Sequence, residues 1–365
     1  MPMIKNINVL EAAIPSKKMI PKPMWLTEYA NNLFVKISND EYTGTGQVLT
    51  AALNLSFPYK YIIERLKKYL LGREEASVLD TNYFLRRLFF NGGYGITTGA
   101  IGGIDIALWD LYSQVSHKPL YKMLGGKNKK ISRYVSLPRF SKVSDVVRIV
   151  HIIYNQGVRQ IKLHQSAEDS IEAVKILHSE FPDLELMVDL SCTLSETKAK
   201  NFIQRVGNLE LKYVEEPMYP PNDYKILKSF NRDVPIAAGE NIFSIPEFQY
   251  CIENGIFTYF QPDVTKIGGI SVGIEIIKLA EKYKAPISFH NRPNNGWIQI
   301  LASAHLSSMY EGPCTVETPF DTIPKEYFNN NNQVNYNYIM LGGDGLGISL
   351  KENLPRKRRN KVLIP

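Results

Sequence analysis

Cysteine is scarce. The chain has three, Cys192, Cys251 and Cys314, odd in number and without metal-ligand spacing. That excludes a disulfide framework and fits buried thiols in a reducing compartment. Long apolar runs are missing too. The first stretch, MPMIKNINVLEAAIP, has no apolar core of a signal peptide. No run approaches the roughly 18 apolar residues of a membrane span. Clustered charge is nearly absent: the net charge is +7, yet the charges are dispersed except at Arg356-Lys357-Arg358-Arg359. That run reads as a solvated tail rather than a nucleic-acid patch. We expect a soluble cytoplasmic protein that binds neither membrane nor nucleic acid.

What is present is a ladder. Short apolar runs that read as strands each end in an ionisable side chain: GVRQIKLH, LELMVDLS, LELKYVEEP, VPIAAGE, GIFTYFQPD, APISFHN and TVETP. The terminal residues are Lys162, Asp189, Glu215, Glu240, Asp263, His290 and Glu317, at intervals of 23 to 27 residues. That interval is one strand plus one crossover helix. Repeated eight times, the unit closes an α/β fold of the (β/α)8-type barrel, with its active site at the C-terminal strand ends. A polar residue ending an apolar strand projects into that mouth. So many ionisable groups in one cavity need a metal or a charged substrate to balance them.

Ahead of the barrel the chain reads as an α+β domain. Lys5 to Glu11 alternate as a strand, Asn32 to Ser38 as a second, and NDEYTGTG turns into a third. The loop IPSKKMIPKPMW separates the first two. Pro58 opens a helix with Ile62, Leu66 and Leu70 on one face. A second carries Ile101, Ile104, Leu108, Leu111 and Val115 as an apolar stripe. The barrel starts near Ile131 with SRYVSL, then a helix from Asp145 to Tyr154 with Ser144 as N-cap. Later helices span Ile171–Ser179, Glu196–Arg205, Ile245–Asn254 and Val272–Tyr283. Gly268-Gly269 offers backbone N–H groups that could cradle an anion. We expect a capping domain over 1–128, the barrel over 129–320, and a segment 321–365 that returns to the cap, with GGDGLGIS as a closing turn and strand.

The rungs suggest chemistry. Asp189, Glu215 and Glu240 end three consecutive strands about 4.8 Å apart, so a divalent cation between them relieves their repulsion. Oxygen-only ligation favours Mg²⁺ or Mn²⁺. The bland alternative is that each merely caps the helix that follows. Asp263 and His290 end the next two strands and form an acid-imidazole pair suited to proton transfer. Lys162 and His164, two residues apart, share one strand face and form a basic pair across the mouth. The other histidines, His117, His151, His178 and His305, lie on helices or a helix end and receive no role.

With these residues in place, the chain resembles the mandelate racemase/muconate lactonizing enzyme branch of the enolase superfamily over nearly its whole length. The segment GAIGGIDIALWDLYSQVSHKPLYKMLGGK resembles the family's link from cap to barrel. VDLS, YVEEP and AAGEN resemble its three metal-ligand strands, FQPDVTKIGG and SFHN its Asp-His dyad, and VETP its last-strand Glu. The resemblance implies Mg²⁺-assisted removal of a proton α to a carboxylate, in an enolase-like barrel with an α+β cap. It implies Mg²⁺ at Asp189, Glu215 and Glu240, the dyad at Asp263 and His290, a base at Lys162 and an electrophilic Glu317. Where many members carry Lys-x-Lys, this chain has Lys162-Leu163-His164.

The expected activity is dehydration of a sugar acid, an aldonate and in particular a pentonate such as D-arabinonate, to a 2-keto-3-deoxy acid. Lys17, Lys18 and Lys22 suit an anionic, polyhydroxy substrate. Lys162 is expected as the base and His290 as the acid. The rivals are a racemase, epimerase or cycloisomerase on the same residues, a Schiff-base aldolase using Lys162, and a non-catalytic binding protein with a basic tail. A homo-oligomer, dimer to octamer, is expected.

Overall fold

The computed structural model describes residues 3–15, 23–24, 29–48, 56–72, 77–292, 296–320 and 322–355. Lys17, Lys18, Lys22 and the basic run from Arg356 to Arg359 lie outside the described residues. The chain opens with an antiparallel meander of β1 (Asn6–Pro15), β2 (Tyr29–Ser38) and β3 (Thr43–Val48). The first two strands are longer than their alternating runs suggest, because pairing from Asn6↔Ser38 to Pro15↔Tyr29 extends both.

Helices α1 (Ser56–Leu66), α2 (Val78–Leu88) and α3 (Ile96–Val115) follow. Pro58 sits at the third residue of α1 rather than opening it. Ser77 caps α2 by accepting from the Asp80 amide at 3.0 Å. The expected apolar stripe on α3 is instead burial on all sides, continuous from Thr98 to Leu111. A helix apolar all round is a core element, not a surface one. It fits so deep because β3 presents glycine to it. A Cβ at Gly44 would lie 2.1 Å from the Ala107 carbonyl oxygen, and one at Gly46 would lie 1.9 Å from that of Gly103. Buried Asp110 then ties α3 to its surroundings, accepting from the Thr45 and Leu346 amides, both at 2.8 Å.

After α4 (Leu120–Met123) comes the barrel. Its units are β4 (Lys130–Ser136), α5 (Val143–Asn155), β5 (Gln160–Leu163), α6 (Ala167–Glu180), β6 (Glu185–Asp189) and α7 (Glu196–Val206). They continue through β7 (Tyr213–Glu215), α8 (Tyr224–Phe230), β8 (Ile236–Ala238), α9 (Ile245–Glu253), β9 (Tyr259–Phe260) and α10 (Ile270–Tyr283). The last are β10 (Ile287–Phe289), α11 (Trp297–Ser307) and β11 (Cys314–Pro319). Each strand pairs parallel with the next, and β11 returns to β4, which closes the eight-stranded barrel. Ser144 is not the cap of α5: it lies inside the first turn, and Lys142 holds the cap position without a side-chain bond. The helices α8 and α11 had no counterpart in the sequence reading.

The chain ends with β12 (Phe328–Asn330), β13 (Gln333–Val334), β14 (Tyr338–Met340) and β15 (Ile348–Leu350). Strand β14 pairs antiparallel with the start of β4, and β12 pairs with β15. The Ala13 amide donates to the Pro355 carbonyl at 3.0 Å, so this segment reaches back to β1. All three cysteines are free, and only Cys251 is buried outright. Among the described residues, no helix is long and apolar enough to cross a membrane.

His305, fully buried on α11, stitches α4 to the C-terminal segment. Its Nδ1 accepts from the Tyr121 amide at 2.9 Å, so its Nε2–H donates to the Leu346 carbonyl at 3.3 Å. Only the neutral ring can do both. Burial holds its pKa down at about 4, against an ordinary 6.5, despite the Leu346 carbonyl. A lowered folded-state pKa gives stability that is complete above about pH 6.5 and is lost as pH falls toward 4. The melting temperature should therefore drop across that interval. His305→Gln should start lower at neutral pH and lose less on acidification. An unchanged pH dependence in that variant would remove His305 from the account.

Candidate active site

The seven rungs converge as expected at the C-terminal ends of the strands. Lys162 is the third residue of β5 and His164 follows its end. Asp189 and Glu215 are the last residues of β6 and β7 and are register partners. Glu240 and Asp263 lie just beyond β8 and β9, His290 just beyond β10, and Glu317 within β11.

At the floor lies Lys162, with 0 % of its side chain exposed. Its ammonium donates to both Glu215 oxygens at 2.8 and 2.7 Å. It pairs with Glu317 at 3.0 Å and reaches Asp189 at 3.5 Å. Burial alone would discharge it, but Glu215 and Glu317 outweigh burial and hold its pKa well above the usual lysine range. It is therefore an ammonium, not a free amine, and a Schiff-base role loses its nucleophile. Glu215 takes a further bond from the Gln261 amide at 2.6 Å, and Glu317 one from the Asn291 backbone amide at 3.1 Å.

Nearer the opening stand two imidazoles. His164 donates from Nδ1 to the Leu137 carbonyl at 2.8 Å, which turns Nε2 toward Asp189 at 2.8 Å. His290 sets Nδ1 on Asp263 at 2.8 Å and Nε2 on Glu240 at 3.0 Å. Burial would lower the His290 pKa, but Glu240 and Asp263 push it up to about 9, so the ring is an imidazolium. Thr265 fixes the far oxygen of Asp263, from its amide at 2.8 Å and its hydroxyl at 2.6 Å. Lys266 closes this side, 3.2 Å from Glu240.

The charges do not balance. Asp189, Glu215, Glu240, Asp263 and Glu317 face two ammonium groups and two imidazoles. The excess is felt most at Glu215: burial, then Asp189, push its carboxyl well above the usual range in spite of Lys162. Asp189 shows the opposite outcome, because His164 and Lys162 overcome its burial and hold it well below that range. A hard divalent cation suits such an oxygen-rich, over-acidic ring. Among the described residues, the ligand atoms gathered within 4.8 Å of one another belong to Glu215, His290 and Glu317. That group shares only Glu215 with the expected trio, since Asp189 is turned onto His164 and Glu240 onto His290 and Lys266.

Several site residues escaped the sequence reading. Lys266 lies three residues past Asp263 in the quoted FQPDVTKIGG, and Gln261 two residues before it, where strand alternation puts both side chains on one face. Glu216, beside Glu215, is fully enclosed and accepts from the Cys192 thiol at 3.2 Å; burial pushes its carboxyl up to about 7. The pattern of strand ends carries no signal for it.

Residues 13–125 match the family described as "Mandelate racemase / muconate lactonizing enzyme, N-terminal domain", and residues 145–354 match "Enolase C-terminal domain-like". Among curated proteins, the chain is 28 % identical to an arabinonate dehydratase of Saccharolobus solfataricus over 289 residues, 76 % of each chain. It is 26 % identical to a D-galactonate dehydratase of Cronobacter sakazakii over 272 residues, 71 % of each. Among solved structures, a racemase of Streptomyces coelicolor A3(2) with bound magnesium has the same fold. The TM-score is 0.80 at 21 % identity, covering 95 % of this chain and 97 % of that one.

The buried cation at the floor makes its own demand. Lys162→Met keeps the bulk but leaves Glu215 and Glu317 facing each other without it. The change should lower unfolding free energy by about 3–5 kcal/mol, the scale for breaking a buried ion pair. Chemical denaturation measures it, and an unchanged midpoint would mean that the carboxylates do not depend on Lys162.

Proposed function

Because the chain belongs to the mandelate racemase / muconate lactonizing enzyme family of the enolase superfamily, we propose that it is a sugar-acid dehydratase. The proposed reaction removes the hydrogen α to the carboxylate of an aldonate and expels the 3-hydroxyl as water. The enol left behind becomes a 2-keto-3-deoxy acid. The dehydratase names of the curated relatives support this class, and the arabinonate name supports a pentonate as substrate.

One observation carries the reading: two imidazoles, each oriented through its Nδ1, flank an arc of carboxylates. His164 sets Nδ1 on the Leu137 carbonyl and Nε2 on Asp189 at 2.8 Å, and we propose that Nε2 takes the substrate proton once Asp189 turns to the cation. His290, held as an imidazolium between Asp263 and Glu240, has a proton to give. The base is better assigned to His164 than to Lys162, whose ammonium is enclosed by Glu215, Glu317 and Asp189. His290 then protonates the departing 3-hydroxyl, as a general acid near neutral pH. Lys162 offsets part of the floor's negative charge, and Glu317 is proposed as the electrophilic group toward the enolate oxygen. Asp189, Glu215 and Glu240 would hold Mg²⁺, which supplies positive charge where negative charge develops on that carboxylate. The magnesium in the racemase of similar fold supports the choice of ion.

A second reading uses the same two imidazoles: one takes the α-hydrogen and the other returns a proton to the opposite face, which is racemisation or epimerisation. An aldonate library in D₂O with Mg²⁺ separates the two. Keto-acid formation, trapped with semicarbazide, is the expected result; α-deuterium exchange without keto acid would replace dehydratase by racemase. His290→Asn should retain exchange while elimination falls by roughly 10²–10⁴-fold, the range for losing a general acid. His164→Asn should stop both. Exchange surviving in His164→Asn and lost in His290→Asn would reverse the two roles.

A further inference from the structure

The turn at Gly268-Gly269 meets a buried carboxyl of the protein's own, through the Ser271 amide that follows it, while the Gly269 amide closes on the Val264 carbonyl. Asp105, buried on α3, accepts from the Ser271 amide at 3.1 Å. Its other oxygen accepts from the Asn82 side chain at 2.8 Å. The same Asn82 nitrogen donates to the Gly268 carbonyl at 2.7 Å, and Trp109 donates from its indole to the Ser271 hydroxyl at 2.9 Å. The approach is tight: a Cβ at Gly269, whose φ is +100°, would lie 2.5 Å from the Asp105 Cβ. A Cβ at Gly102 would lie 3.0 Å from the Thr265 carbonyl oxygen.

This turn is the one that carries the acid-imidazole pair. It starts at Asp263, whose carbonyl accepts from the Lys266 and Ile267 amides at 2.9 and 3.0 Å. The Gly269 amide closes back on the Val264 carbonyl at 3.0 Å. Thr265 within it fixes the Asp263 side chain, and Asp263 fixes His290. A continuous hydrogen-bonded path thus runs from α2 and α3, through residues 263–271, to the imidazolium.

We infer that Asp105, with Asn82, is a positioning residue: from outside the barrel, it sets the turn that orients Asp263 and His290. The inference rests on the dehydratase reading only for its activity readout. Asp110 supplies the control. It lies on the same helix, is as buried as Asp105 at 1 % exposure, and accepts two backbone amides, but these belong to β3 and the C-terminal segment.

Asp105→Asn replaces one acceptor by a donor facing Asn82 or Ser271, and Asp110→Asn does the same at Thr45 or Leu346. Both should lower the melting temperature. Only Asp105→Asn should reduce kcat, by about 10²-fold with KM held, the scale of a 1 Å misplacement at a catalytic group. Only Asp105→Asn should raise amide hydrogen–deuterium exchange over residues 263–271. Asn82→Ala should move both readouts the same way, and it replaces Asp105→Asn if that variant does not fold. Equal kcat losses in the two aspartate variants, or unchanged exchange over 263–271 in Asp105→Asn, would overturn the inference. A wild type inactive on every sugar acid would contradict the proposed function, and the exchange comparison would then decide the positioning role alone.

Discussion

A lysine ammonium with no exposed surface, held by Glu215, Glu317 and Asp189, is the constraint around which the barrel is arranged. Taking such charges from water costs several kcal/mol per ion, and their attraction offsets it only where the geometry is good. The barrel supplies that geometry by register. Asp189 and Glu215 are Cα partners on β6 and β7, while Lys162 pairs with Met187 two residues below Asp189. Lys162 offsets part of the floor's charge, and His164, His290, Glu240 and Lys266 stand nearer the opening. The separation of floor from mouth follows from depth along the strands rather than from any one residue type.

The rungs were legible because barrel strands are short apolar runs closed by a polar residue, at a spacing that one helix enforces. The three-stranded sheet was legible from alternation, though pairing lengthened β1 and β2 past their patterned cores. Other features were hidden for physical reasons. The seven-residue α8 is too short to display a helical period. The start of α3 is masked by glycines that weaken helix propensity but let its backbone approach β3 and the turn after β9. Lys266 and Gln261 sit inside the FQPDVTKIGG motif but do not themselves end an apolar run. The proposed move of the base role from Lys162 to His164 also rests on depth, which residue spacing cannot report: Lys162 is fully buried, whereas His164 is partly exposed.

The long helix α3 joins these levels. Asp110 fastens it to the meander and the C-terminal segment, and Asp105 fastens it to the turn beneath the dyad. Two buried carboxylates with backbone donors tie α3 to the meander, to the C-terminal segment and to the turn that begins at Asp263. The segment that resembles the family's link from cap to barrel thus holds both carboxylates.

We propose that the over-acidic ring at the strand ends is one divalent-cation site built from Asp189, Glu215 and Glu240. Calorimetric titration of the metal-free protein with Mg²⁺ tests it most directly. The expected result is one ion per chain, with binding lost in Asp189→Asn and Glu240→Gln and kept in His290→Asn. Absence of Mg²⁺ binding, or binding that survives both carboxylate changes and disappears in His290→Asn, would contradict it.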